Sequence, residues 1–92
     1  MTQLSKNQFK LLKLFYDHPD QAYYMQEIGR LLGKKPGVFQ RTLNNMERQG
    51  ILLSEYKANA RYFRANTGYP IYNELKNIVL KALKVKGGLK SS

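Results

Sequence analysis

The sequence predicts a mainly α domain with one small β-hairpin, and three observations carry that expectation. A helical period over residues 25–32 stops at Gly33, and a second opens at Pro36 and stops at Gly50. Two strand-like runs follow, residues 51–56 and 61–65, joined by the tip Lys57-Ala58-Asn59-Ala60. Broad apolar faces over residues 9–16 and 71–85 flank this centre. Ninety-two residues suit a single domain. Residues 1–86 are assigned to it, and residues 87–92 to a C-terminal tail.

Ser5-Lys6-Asn7-Gln8 reads as a capping box, with Ser5 as N-cap and Gln8 reaching back. In the helix that follows, Phe9, Leu12 and Tyr16 share one stripe, and Leu11, Leu14 and Phe15 widen it. His18-Pro19-Asp20 stops this helix, because the residue before proline disfavours the helical region. His18 is expected to meet the last carbonyls of the helix. Gln21 to Tyr24 suit one short strand.

From Met25 the period becomes helical, with Met25, Ile28, Leu31 and Leu32 on one face. Gly29 beside that face allows the next helix to cross closely, at some cost in helix propensity. Gly33 suits a left-handed helix end. Pro36 suits a first helical turn, where its missing N–H is not needed. The second helix, 36–49, buries Val38, Phe39, Thr42, Leu43 and Met46. Its opposite stripe is Gly37, Gln40, Arg41, Asn44, Asn45 and Arg48. After the hairpin, Pro70 opens a last helix with Ile71, Leu75, Ile78, Ala82 and Val85 at alternating spacings of four and three, a heptad-like seam that Gly87-Gly88 ends.

The net charge is +10, which favours a polyanionic partner and says little about fold. Residues 34–67 carry seven cations (Lys34, Lys35, Arg41, Arg48, Lys57, Arg61, Arg64) against Glu47 and Glu55, and so hold half of the excess. The absence of cysteine excludes disulfides, thiol redox sensing and thiolate zinc sites. One histidine is too few for an imidazole metal site, so no metal is expected. No apolar run approaches the roughly 20 residues that span a bilayer, and no signal-peptide core opens the chain. A cytoplasmic protein away from the membrane is the expectation.

Helix, tight turn, helix and hairpin make the layout of a winged helix-turn-helix, a module that lays its second helix in the DNA major groove. Arginine pairs with guanine, and asparagine or glutamine with adenine, through two hydrogen bonds each. Gln40, Arg41, Asn44, Asn45 and Arg48 offer these groups within the exposed stripe, and Gly37 permits close backbone approach. Lys34 and Lys35 in the turn would meet phosphates. In the wing, spanning residues 56–62, Lys57, Asn59 and Arg61 would straddle the phosphate backbone, or Arg61 would enter a minor groove; Arg64, just beyond, would join them or turn towards Glu55. Polar residues cover any exposed helix face. What favours binding here is that no carboxylate interrupts the stripe before Glu47, and that a charged hairpin adjoins it.

Other chemistry is less well served. Glu47 and Glu55 suit surface ion pairs better than acid–base work, and no activated nucleophile or phosphate-cradling glycine loop is present. No enzyme and no cofactor are read from these residues. Of the seven tyrosines, Tyr56 and Tyr62 are placed to touch nucleic acid, and the others suit core edges. The terminal helices suit a homodimer contact built from Leu11, Phe15, Ile71, Leu75, Ile78, Val79, Ala82 and Leu83. The competing reading is a last helix that closes the monomer's own core.

Residues 25–33, the run Leu43-Asn44-Asn45-Met46-Glu47-Arg48-Gln49-Gly50-Ile51, and the wing 58–66 followed by Tyr69 to Leu75 resemble winged-helix transcriptional regulators of the ArsR/MarR-like kind. They are also similar to small prokaryotic winged-helix domains that in some proteins precede a nucleotidyltransferase-like domain. The resemblance implies a recognition helix at 36–49, wing positions at Asn59 and Arg61, and a two-fold dimer on double-stranded DNA. The metal-binding motifs of ArsR-type sensors are absent from this chain. The alternatives left open are a protein-interaction module, an RNA or single-strand binder, and the DNA-binding fragment of a longer nucleotidyltransferase-linked protein.

Overall fold

A computed structural model describes the backbone of residues 5–91 and the side chains of residues 5–81. The elements are α1 (Lys6–Asp17), β1 (Tyr23–Tyr24), α2 (Met25–Leu32), a 3₁₀ turn (Pro36–Phe39), α3 (Gln40–Arg48), β2 (Leu52–Lys57), β3 (Ala60–Ala65) and α4 (Tyr72–Ser91). The mainly α winged helix-turn-helix expected from the sequence is therefore present.

Helix ends follow the local chemistry. Ser5 Oγ accepts from the Gln8 N–H at 3.1 Å, and Gln8 Oε1 accepts from the Ser5 N–H at 3.0 Å. Two orphan donors of α1 are thereby satisfied. His18 closes the other end through its backbone, its carbonyl accepting from the Gln21 N–H at 3.0 Å. Both α2 and α3 end in the same paired-bond motif around a left-handed glycine. Gly33 (φ 69°) and Lys34 donate back to Arg30 and Gly29 at 3.3 and 2.9 Å. Gly50 (φ 86°) and Ile51 donate back to Glu47 and Met46 at 3.0 and 2.9 Å.

The sheet order is β1-β3-β2, all antiparallel. Tyr23 lies opposite Phe63, and Leu52 opposite Ala65. The hairpin turn is tighter than expected. Lys57 pairs with Ala60, so only Ala58 (φ 49°) and Asn59 (φ 67°) form the loop. Positive φ at both positions is the type I′ pattern, whose twist matches that of the strands.

One core joins the layers. Leu11, Leu12 and Phe15 of α1, Ile28 of α2, Phe39, Leu43 and Met46 of the second helical segment, Leu52 and Phe63 of the sheet, and Val79 of α4 are all fully buried. Each such side chain contributes roughly 1.5–3 kcal/mol by leaving water. Tyr16 is 2% exposed, and its ring meets Tyr72 edge-on at 5.2 Å.

Several expectations need correction. Residues 36–49 are not one α-helix. The leading 3₁₀ turn advances about 120° per residue instead of 100°. That shift of phase leaves Val38 46% exposed while Phe39 is buried. On α2 the inward face is Ile28 and Gly29, and Leu31 is 54% exposed. Leu11, Phe15 and Val79, expected at a contact between chains, lie wholly inside this chain's own core and have no surface to offer a second copy. Ala82 and Leu83 lie outside the described side chains. The pair Gly87-Gly88 does not end α4, which runs to Ser91. Glycine lowers helix propensity without closing the helical region to the backbone.

Candidate nucleic-acid interface

Gly29 sets the position of α3. A methyl group there would stand 2.7 Å from the Lys34 carbonyl oxygen, 3.0 Å from Pro36 N and 3.1 Å from Pro36 Cα. Glycine lets the turn lie directly on α2, and that contact delivers the next helix at its crossing angle. Phe39, Leu43 and Met46 then anchor the inner face of α3. The opposite face is left to solvent. Gly37, Gln40, Arg41, Asn44, Asn45 and Arg48 line one shallow, open surface, so the structure brings together the whole polar stripe read from the sequence. Nothing lies within 4 Å of where a Gly37 methyl would sit, so that backbone is open to close approach. Lys34 and Lys35 are exposed in the turn before it.

The wing stands beside this surface, and strand alternation sorts its side chains. Arg61, Phe63 and Ala65 take the inner face of β3, towards α3 and the core. Arg64 takes the outer face, opposite Leu53 in the ladder and exposed. It is not brought together with the α3 stripe, nor is it opposite Glu55, which pairs with Tyr62. Lys57 and Asn59 are exposed at the tip, with Lys57 Nζ 3.6 Å from Glu55 Oε2. Tyr56 is 76% exposed. Tyr62 is half-buried, its ring edge-on to Tyr24 at 5.5 Å.

Arg61 was expected to reach outward from the wing, and the structure holds it inward. Its Nη2 donates to Glu47 Oε1 at 2.9 Å and its Nη1 to Asn44 Oδ1 at 2.7 Å. Its Nε lies 3.3 Å from Ser54 Oγ, and that hydroxyl donates to Glu47 Oε2 at 2.8 Å. The guanidinium also stacks over the Phe63 ring, 4.7 Å from its centroid. A planar fork of donors on a carboxylate and an amide is the geometry in which arginine binds most strongly. Arg61 therefore ties β3 to α3. A second, smaller tie lies along α3, where Arg48 Nη1 donates to Asn45 Oδ1 at 3.0 Å.

Glu47 and Ser54 thus belong to the site, a role the sequence reading did not give them. The signal was present. A cation on the same strand face as Phe63 must meet whatever packs over that face, and α3 carries a single carboxylate. Among the described residues, no group of three or more His, Cys, Asp or Glu side chains converges as a metal site would require. No helix among them is long and apolar enough to cross a membrane.

A second concave surface is lined by a different set of residues. Gln8, Phe9 and Leu12 of α1, Met46 and Gln49 at the end of α3, Ile51, Tyr69 and Ile71, and Leu75 and Ile78 of α4 enclose about 850 Å³. Ile71 and Ile78 are 46% and 54% exposed along it. Among the described side chains expected at a contact between chains, these two and half-buried Leu75 reach the surface.

No family model matches the sequence, and no curated protein matches it. Solved structures do match by shape. The AntR antimony-specific transcriptional repressor superposes with a TM-score of 0.73 at 14% identity, over 91% of this chain and 72% of that one. MepR, a transcription regulator of the Staphylococcus aureus multidrug efflux pump MepA, gives 0.69 at 15% identity, over 95% of this chain and 66% of that one. A possible transcriptional regulator from Methanosarcina mazei Go1 gives 0.65 at 15% identity, over 95% and 76%. The chain has the winged-helix fold of these transcription regulators.

Proposed function

We propose that this protein is a sequence-specific, double-stranded DNA-binding transcription regulator that acts as a homodimer in the cytoplasm of a prokaryotic cell. The single observation behind this reading is the surface of α3. Gly37, Gln40, Arg41, Asn44, Asn45 and Arg48 form one open face of amides and guanidinium groups, and its nearest carboxylate, Glu47, is already neutralised by Arg61. Such groups hydrogen-bond base edges in the major groove. Lys34 and Lys35 before α3, with Lys57 and Asn59 at the wing tip, suit phosphates on either side. In this reading Gln40, Arg41 and Asn44 read bases, while the lysines position the duplex.

The dimer is supported by the apolar surface that holds Ile71, Leu75 and Ile78. Two copies related by a two-fold axis would present two α3 helices to half-sites about 34 Å apart on one side of the duplex. Regulation would follow from occupancy of such a palindromic site.

Binding to random duplex, to single-stranded DNA and to RNA across a salt series tests the reading, with the mass of the free protein measured alongside. The expected result is a duplex preference, a dimeric mass, and affinity that falls steeply with salt, by about 0.9 in log–log slope per phosphate contacted. No duplex binding at low salt would overturn the proposal. A single-strand or RNA preference, lost on Tyr56→Ala, would replace it with stacking on the exposed wing tyrosine.

A further inference from the structure

Arg61 has the composition of a phosphate contact and the geometry of something else. A guanidinium carries five N–H donors and no acceptor. The atom of Asn44 that faces it at 2.7 Å must therefore be the amide oxygen, which fixes which end of that amide points to the wing. Nδ2 is left as the end turned away from the guanidinium, and Asn44 lines the open surface together with Gln40 and Arg41. The guanidinium has further anchors in this position. Glu47 holds it at 2.9 Å, Ser54 at 3.3 Å, and the Phe63 ring lies beneath it. A free asparagine side chain samples several rotamers, and both ends of its amide offer themselves to a base. Here one orientation is held.

We infer that Arg61 is a specificity-determining positioning residue. It acts through Asn44, by fixing the amide that reads a base edge, and it contributes no phosphate contact. The inference rests on the proposed DNA-binding function and makes a claim that function does not require. Wing arginines that grip the backbone strengthen binding to all sequences alike and steepen the salt dependence. An arginine that orients a reading group alters preference at one base pair and leaves the salt dependence alone. The ion pair with Glu47 supports the second behaviour, because the pair adds no net charge to the surface.

The test uses the full chain and duplexes selected from a random library. Asn44→Ala first locates the base pair per half-site whose preference depends on Asn44. The double variant Arg61→Met with Glu47→Gln then removes both charges and leaves the local net charge unchanged. Its preference at that same base pair is expected to fall about 3- to 10-fold, the worth of one hydrogen bond. Its affinity for random duplex and its salt slope should match the wild type. Arg61→Lys keeps the charge but cannot hold carboxylate, amide and hydroxyl together. It is expected to lose the same preference, and it serves as the second variant should the double one fail to fold.

A salt slope reduced by about one on the double variant, with preference intact, would make Arg61 a phosphate contact and overturn the inference. Full rescue of preference by Arg61→Lys would overturn it too, as would an Asn44→Ala protein that selects the same sites as the wild type. In all three cases the wild type still binds duplex DNA, so the broader function stands. A wild type that binds no duplex would overturn both.

Discussion

Gly29→Ala sets two effects of opposite sign against each other at one residue. In an exposed helix the change stabilises, by about 0.5–1 kcal/mol, because glycine has more backbone freedom to lose. At Gly29 the new methyl would meet the Lys34 carbonyl oxygen at 2.7 Å and Pro36 N and Cα at 3.0 and 3.1 Å. Favourable carbon contacts lie near 3.5–4.0 Å. The three obstructing atoms are backbone, in a turn pinned by the Lys34 N–H bond to the Gly29 carbonyl, so no side chain can swing aside. Forcing an extra methyl into a filled site costs about 1–3 kcal/mol. The net expectation is a loss of about 1–2 kcal/mol, which for a domain of this size lowers Tm by roughly 4–15 °C. Urea and thermal unfolding measure it, with Gly37→Ala as the control, since nothing lies within 4 Å of that site. Because the turn carries α3, DNA affinity should fall with Gly29→Ala even at temperatures where the variant is folded. A variant as stable as the wild type, or more stable, would refute the close-approach argument.

Three further outcomes are expected. Ala58 takes a left-handed φ of 49°, so Ala58→Gly should raise stability by about 1 kcal/mol, read as a higher urea midpoint with unchanged slope. Burial raises the Tyr16 hydroxyl pKa to about 12, with the Tyr72 and Tyr69 hydroxyls adding to the rise. Its folded value thus exceeds the ordinary 10, so its contribution is whole below pH 10 and is lost as pH rises towards 12, at about 1.4 kcal/mol per pH unit. Tyr16→Phe should flatten that alkaline slope in pH-dependent unfolding, and should cost little at pH 7, because the buried hydroxyl has no hydrogen-bond partner. Ile78→Glu, at a side chain 54% exposed, should leave unfolding at neutral pH nearly unchanged while weakening self-association at least 10-fold in sedimentation.

Local chemistry is what the sequence makes legible. Ser5 and Gln8 satisfy each other, Gly33 and Gly50 end their helices, and the hairpin forms where alternation and a short tip place it, because each of these acts within a few residues. The polar stripe of α3 was readable for the same reason, since a helical period sorts residues by face. Contacts between elements were harder to read. Val38 turned outward because a 3₁₀ turn shifted the phase, and periodicity alone cannot tell 100° from 120° over four residues. Leu11, Phe15 and Val79 read as surplus apolar surface because nothing in the sequence says how fully one chain can cover them. Arg61 read as a free cation because its partners, Asn44, Glu47 and Ser54, lie 17, 14 and 7 residues away.

The clamp between wing and helix also bears on entropy. A duplex that met a loose wing would have to still it, and each rotamer-rich side chain so fixed costs about 0.5–1.5 kcal/mol of affinity. With Arg61 bonded across to Asn44 and Glu47, the ordering of that side chain is in place before any ligand arrives. Helix and wing then behave as one preorganised tool. A variant that cuts the bonds of Arg61 to Asn44 and Glu47 would hand that ordering cost back to the binding step.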